Sequence, residues 1–202
     1  MILAEPELRN ALRDVPVTSV EGPFHRAVQA RWLYAVASAG RVPNILSGVF
    51  AFRAGGRFNP PESFPATYVA CDPLTAMAEA EAAFVRSGVI TKVAPSRPYT
   101  VVPIDGTVHD VLDLTSSSVQ DLLTATVTEL FAPWRPYQLR KEEAPTQRLG
   151  RCAYESRRIQ GILAPSNKRP GGMCLVAFPE RLRSPSNLQV VDEERFLAEE
   201  LP

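Results

Sequence analysis

Nineteen prolines are spread through 202 residues, and that punctuation limits the chain to short elements joined by turns. Proline fixes its own φ, lacks a backbone donor and restricts the residue before it, so each one tends to mark an end, a first turn or an edge. Read between these marks, Pro6 to Val15 predicts an opening helix and Phe24 to Val28 alternates as a strand does. Trp32 to Ala39 predicts a short helix, and 40–66 a loop-rich stretch. Thr67 to Cys71 reads as a strand. Asp72-Pro73 then opens a helix, since aspartate suits the N-cap and proline the first turn; it is expected to run to about Ser87 and stop at Gly88. Tyr99 to Ile104 and Val108 to Leu114 predict two strands, and Ser116 to Leu123 a helix. Residues 124–144 give no clear pattern. Pro145 to Arg158 predicts a helix, 161–164 and 173–178 two buried strands joined by the polar turn 167–172, and Asn187 to Val191 a last strand before an acidic, helix-like tail. Strands and helices do not alternate regularly, which argues against a doubly wound parallel sheet and for a mixed α+β domain. Residues 1–202 are read as that single domain.

Composition narrows the function classes. Twenty-two basic residues balance 22 acidic ones, so no general electrostatic grip on nucleic acid or on an anionic membrane is expected. No apolar run approaches the length of a membrane span. The N-terminus carries charge early and does not read as a secretory signal. Three widely spaced cysteines, Cys71, Cys152 and Cys174, and two histidines, His25 and His109, show no metal-ligand spacing. The expectation is a soluble cytoplasmic protein with reduced thiols and no metal. No Gly-x-Gly-x-x-Gly follows a strand and no P-loop is present, so a dinucleotide would not be held in Rossmann fashion.

The candidate chemistry begins at Gly55-Gly56-Arg57-Phe58-Asn59-Pro60. Paired glycines let a backbone approach a ligand closely, and an arginine on such a loop presents a fork of donors to phosphate or carboxylate. Taken alone, the segment also reads as a tight turn with a solvated arginine, and that reading is favoured. On the helix from Pro73, Glu79 shares a face with Thr75, Ala82 and Arg86, and Glu81 with Leu74, Ala78 and Val85. The wheel leaves both carboxylates open and slightly favours Glu81 as the more buried. Arg26 lies in an apolar strand, where it needs a partner or an anionic ligand. Ser166 follows the apolar run 161–165, with no nucleophile-elbow pattern around it.

The order of these segments is more specific than any one of them. His25-Arg26, Gly55 to Pro60, Thr67-Tyr68-Val69-Ala70, Asp72-Pro73-Leu74-Thr75-Ala76-Met77-Ala78-Glu79, Gly161 to Ser166 and Cys174-Leu175-Val176-Ala177-Phe178-Pro179 follow in that sequence. The succession, over roughly residues 22–180 with 181–202 as an extension, closely resembles the RES-domain family. The resemblance implies a fold like that of ADP-ribosyltransferase toxins, with central mixed or antiparallel sheets flanked by helices. It implies a bacterial toxin that consumes NAD as a substrate, by hydrolysis or phosphorolysis of the nicotinamide–ribose bond. ADP-ribosylation of a protein target is the alternative within enzymes, and an inactive antitoxin-binding module the alternative outside them. Its implied partner is an antitoxin with an Xre-type helix-turn-helix domain, and a second copy of the chain is a further one. Arg26 and Arg57 match family arginines, Tyr68 the tyrosine, Glu79 the glutamate and Ser166 the serine. The register thus selects Glu79 over Glu81. It assigns Glu79, Tyr68 and Arg57 to catalysis, and Arg26, Arg57, Asn59, Tyr68 and Ser166 to NAD binding. The glycine common after Asn-Pro is replaced here by Glu62-Ser63, and 124–144 has no evident counterpart.

Overall fold

One long strand organises the molecule. In the computed structural model, which describes residues 1–30, 33, 45–81, 98–191 and 200–201, the two strands expected at 99–104 and 108–114 are one continuous strand, β4 (Tyr99–Asp113). It changes partners along its length. Its first part pairs antiparallel with β2 (Phe24–Gln29), from Gln29↔Tyr99 to Phe24↔Ile104. Residues 104–107 pair with β7 (Asn187–Val190), and residues 107–111 with β1 (Thr18–Glu21), a strand the sequence pattern did not suggest. Its last three residues pair parallel with β5 (Gly161–Pro165). Gly106 makes the change of partner sterically feasible: its φ is +139°, and a Cβ there would overlap the Asn187 carbonyl.

Strands β3 (Thr67–Ala70) and β6 (Met173–Ala177) complete a circuit. Pairing runs β4–β2–β3–β6–β5 and returns to β4, antiparallel everywhere except β4–β5. The short β8 (Glu200–Leu201) closes the far side on β7. One join in the circuit is thin. β2 gives its whole length to β4, and β3 its whole length to β6, so β2 and β3 meet only at His25↔Ala70 among the described residues.

Helices cover one face of the sheet, over Leu112, Ile162 and Val176. α1 (Glu5–Asp14) buries Leu8 and Leu12 against α7 (Pro145–Glu155), whose Leu149, Cys152 and Ala153 are also buried. The sequence anticipated both. The loop-rich stretch contains a short helix, α2 (Val49–Ala54), and α3 (Pro73–Glu81) follows β3. α4 (Ser117–Leu122) is where the serine caps suggested. The unreadable stretch 124–144 holds two five-residue helices, α5 (Val127–Phe131) and α6 (Arg135–Leu139). The helix expected at Trp32–Ala39 (residue 33 apart), the end of the Glu79 helix near Gly88, and residues 192–199 of the acidic tail lie outside the described residues; where that tail is described, Glu200–Leu201 form a strand paired with β7 and not the helix expected. The architecture is the mixed α+β arrangement expected, with largely antiparallel pairing flanked by helices.

Charge fixes how α1 sits. Arg151 of α7 donates to Glu5 at 2.8 Å and to Glu143 at 2.7 Å, and Arg9 donates to Glu5 and to Glu155. These donors, Arg151 first and Arg9 second, pull the Glu5 carboxyl down to about 2. Because the folded value is depressed, the contribution is complete above the ordinary carboxylate range and fades as pH falls from about 4.5 toward 2. The cluster faces water, which limits its worth. Glu5→Gln should therefore lower the melting temperature by about 2 °C at pH 7. In thermal melts the gap between the two proteins should close by about pH 2–3; a gap independent of pH would remove Glu5 from this account.

Candidate active site

The thin join between β2 and β3 is where the main cleft opens. Beyond His25↔Ala70 the ladder does not continue, and Arg26, Ala27, Tyr68 and Val69 line a cavity of about 730 Å³ instead. Glu79 from α3, Arg57 from the glycine-rich loop and Cys174 from β6 share that lining.

The loop is held from behind. Gly55 ends α2 at φ +70°, and the Gly56 N–H donates to the Asn59 carbonyl at 2.8 Å. Asn59 is fully buried: its amide donates to Ala51 O at 2.8 Å and its Oδ1 accepts from the Tyr68 hydroxyl at 2.8 Å. That hydroxyl also accepts from the Phe58 N–H at 3.0 Å. A Cβ on Gly56 would overlap the Tyr68 hydroxyl. Gln147 of α7 donates to Gly56 O at 3.0 Å, and Gly150, on the next turn, lets the helix press on the Phe58 carbonyl so closely that alanine would collide. Asn59, which the resemblance assigns to NAD binding, here shapes the loop. Tyr68 offers its ring to the cleft, while its hydroxyl is engaged with the loop; burial pushes that hydroxyl well above the usual phenol range.

The result is a fixed arginine. Arg57 is half-buried and donates through Nη1 to Leu130 O at 2.6 Å. Burial lowers its pKa from the ordinary value, and the nearby Glu79 carboxylate works the other way. The guanidinium stays charged and keeps its remaining donors for the cleft. Arg26 lines the same cleft and donates to Ile45 O.

Glu79 is placed through its helix and through Ser166. Asp72 caps α3, accepting from Thr75 N at 2.9 Å and from Thr75 Oγ1 at 2.6 Å. Arg169 donates to the same carboxylate at 3.0 Å, tying the helix start to the β5–β6 turn. In that turn Ser166, buried, donates from Oγ to Glu79 Oε1 at 2.6 Å and accepts from the backbone N–H of Lys168 and Arg169 at 3.1 and 3.2 Å. Ser166, which the resemblance assigns to NAD binding, here holds the carboxylate. The Glu81 side chain lies outside the described residues. Cys174 Sγ is 4.0 Å from Glu79 Oε1; burial and then the Glu79 charge push its thiol far up, so it is a neutral neighbour rather than a nucleophile. Among the described residues no three acidic, histidine or cysteine side chains group as metal ligands, and no helix is long and apolar enough to cross a membrane.

Sequence reasoning missed Gln147 and Gly150; the aromatic cluster Trp134, Arg135 and Tyr137 stood open in sequence between surface and lid, and Trp134 and Arg135 line the cleft. A glycine inside a helix was the available signal, since it costs about 1 kcal/mol against alanine and so points to close packing.

A RES domain family model matches residues 23–198. Proteins called NAD(+) phosphorylase MbcT from Mycobacterium bovis (strain ATCC BAA-935 / AF2122/97) and Mycobacterium tuberculosis (strain ATCC 25618 / H37Rv) are 32% identical over 147 residues, which is 72% of this chain and 72% of each of them. The crystal structure of the M. tuberculosis MbcT–MbcA toxin–antitoxin complex contains a chain that superposes with a TM-score of 0.70 at 25% identity, covering 92% of this chain and 90% of that one.

The loop geometry makes a prediction. Tyr68→Phe leaves the ring in the cleft but strands the buried Phe58 N–H and the Asn59 amide oxygen, at a cost of about 1–3 kcal/mol. Denaturant unfolding should show that loss. Full stability in the variant would mean the hydroxyl is free to serve a ligand.

Proposed function

This chain belongs to the RES-domain family, and from that premise we propose that it cleaves the nicotinamide–ribose bond of NAD. The observation that carries the reading is the Ser166-held carboxylate of Glu79 in the same cleft as the Arg57 and Arg26 guanidiniums. NAD presents a cationic ring on a ribose and, some distance away, a diphosphate. A site for it needs an anion near the first and forked cations near the second.

The chemistry follows from those charges. As the C1′–N bond breaks, its electron pair goes to the nicotinamide nitrogen and the ring leaves neutral. Positive charge spreads over the anomeric carbon and the ribose ring oxygen. Glu79 stabilises that charge from a position fixed by Ser166. Arg57 and Arg26 hold the diphosphate, and the Tyr68 ring packs along the nicotinamide end. An oxygen nucleophile then bonds to the anomeric carbon and gives up its proton: water yields ADP-ribose, inorganic phosphate its 1″-phosphate. Phosphorolysis is favoured, because relatives 32% identical carry the name NAD(+) phosphorylase. The superposition on a toxin from a toxin–antitoxin complex supports a cognate antitoxin as partner; an Xre-type domain in that antitoxin and a bacterial cytoplasm as the setting are what the family resemblance implies.

Purified protein, NAD, and product separation with and without phosphate test the reading. Turnover should depend on phosphate and give the 1″-phosphate. Glu79→Gln should fold normally and lower kcat by about 10²–10³. Ser166→Ala should lower kcat by about tenfold and change KM little, since it frees the carboxylate without removing a ligand contact. A Glu79→Gln variant as active as the wild type sinks the mechanism, and a dead Glu81→Gln variant moves it to the other face of the helix.

A further inference from the structure

The mouth of the cleft is built from planar and apolar side chains that the bond-breaking step does not use. Phe50 of α2 is 76% exposed, yet it lines the same cavity as Glu79 and Arg57. Trp134, at the start of α6, lines it as well, half-buried, with the Arg135 guanidinium 5.1 Å from its ring centroid. The two rims are tied together: Gln138 of α6 donates to Ala54 O at the end of α2 at 3.0 Å. The Arg57 guanidinium, bonded to Leu130 O, lies under the beginning of the same segment.

Resting on the NAD reading, we infer that Phe50 and Trp134 form the subsite for the adenine base. With the scissile bond at Glu79 and the diphosphate on Arg57, the adenosine must run from the buried floor toward the mouth. A planar heteroaromatic gains from stacking on aromatic side chains, and an arginine beside the stack adds a cation–π contribution. Exposed aromatics scattered singly need no explanation; two on the tied rims of one cleft fit a flat ligand of this class. Residues 124–144, without pattern in sequence, thereby determine substrate length: this site prefers a dinucleotide to the mononucleotide that carries the same bond.

Steady-state kinetics and calorimetry on the full chain test this. Trp134→Ala should raise KM for NAD about tenfold with kcat within about twofold, and Trp134→Phe should restore most of the loss. Phe50→Ala, at an exposed position, should act in the same direction with no effect on folding. Calorimetric titration separates base from phosphate: ADP should bind about tenfold more weakly to Trp134→Ala, while inorganic diphosphate, read through Arg57, should bind as to the wild type. Unchanged KM and unchanged ADP binding in both alanine variants overturn the subsite and leave the rim as a surface for a protein partner. Equal weakening of ADP and diphosphate overturns it too, since the segment would then act only through Arg57. A wild-type protein that binds ADP through Trp134 but leaves NAD intact would keep the base subsite and refute the cleavage reading.

Discussion

The site exists because a sheet ladder is broken. β2 is committed to β4 over six residue pairs and β3 to β6 over four, so among the described residues the pair His25↔Ala70 is all that joins them. A sheet strand can satisfy its backbone on both edges, and it twists as it does so. Where two neighbours follow different partners they diverge, and the side chains that would have faced one another across a ladder face a cavity instead. Arg26 and Tyr68 stand on those diverging strands. A cleft so formed has a rigid floor, which is what a site needs when it must hold a charge in a fixed place.

Around that floor, two frames fix the two opposite charges. The arginine frame is a set of backbone and amide bonds closed by Asn59, Tyr68 and Gln147, with Gly150 letting α7 press from behind. The carboxylate frame is α3, capped by Asp72 and tied to the β5–β6 turn through Arg169 and Ser166. None of these residues belongs to both. The distance between cation and anion is therefore set by the sheet, through β3 and β6, and by the Asn167 amide that donates to Phe131 O at 3.4 Å, beside the Leu130 carbonyl that holds Arg57.

Much of this was legible in the sequence, and what was not has identifiable causes. Asp72-Pro73 gave the start of α3 because capping is a local interaction, written in adjacent residues. β5, β6 and their turn were readable as apolar runs around polar residues. Break and continuity in β4 were not: Gly106 signals a turn in sequence, whereas here it serves a strand that exchanges partners, a tertiary event. The stretch 124–144 was opaque because five-residue helices carry too few turns for a periodicity. Glu79 could not be separated from Glu81 by helix geometry, since what distinguishes Glu79 is a bond to Ser166, 87 residues away. Asn59 and Ser166 were legible as important, while the bonds by which they brace the loop and the carboxylate were not. The same residue types serve as ligand contacts or as braces, and only burial and partners decide between them.

The choice of brace matters for the chemistry. Arg57 shares the cleft with Glu79, but its short bond goes to the Leu130 carbonyl, and among the described residues no cation lies in ion-pair contact with Glu79. A direct Arg57–Glu79 pair would have fixed the carboxylate equally well. It would also have spent the negative field that a developing cation on a sugar requires, because in a poorly solvated cleft an opposite charge at contact cancels most of what a third group could feel. A hydroxyl donor fixes orientation and leaves the full charge in place. The neutral Cys174 thiol, 4.0 Å from the same carboxylate oxygen, adds bulk without charge. Serine at 166 thus fits a carboxylate that must stay anionic and still, and it leaves the outward donors of Arg57 to the phosphates at the far end of the substrate.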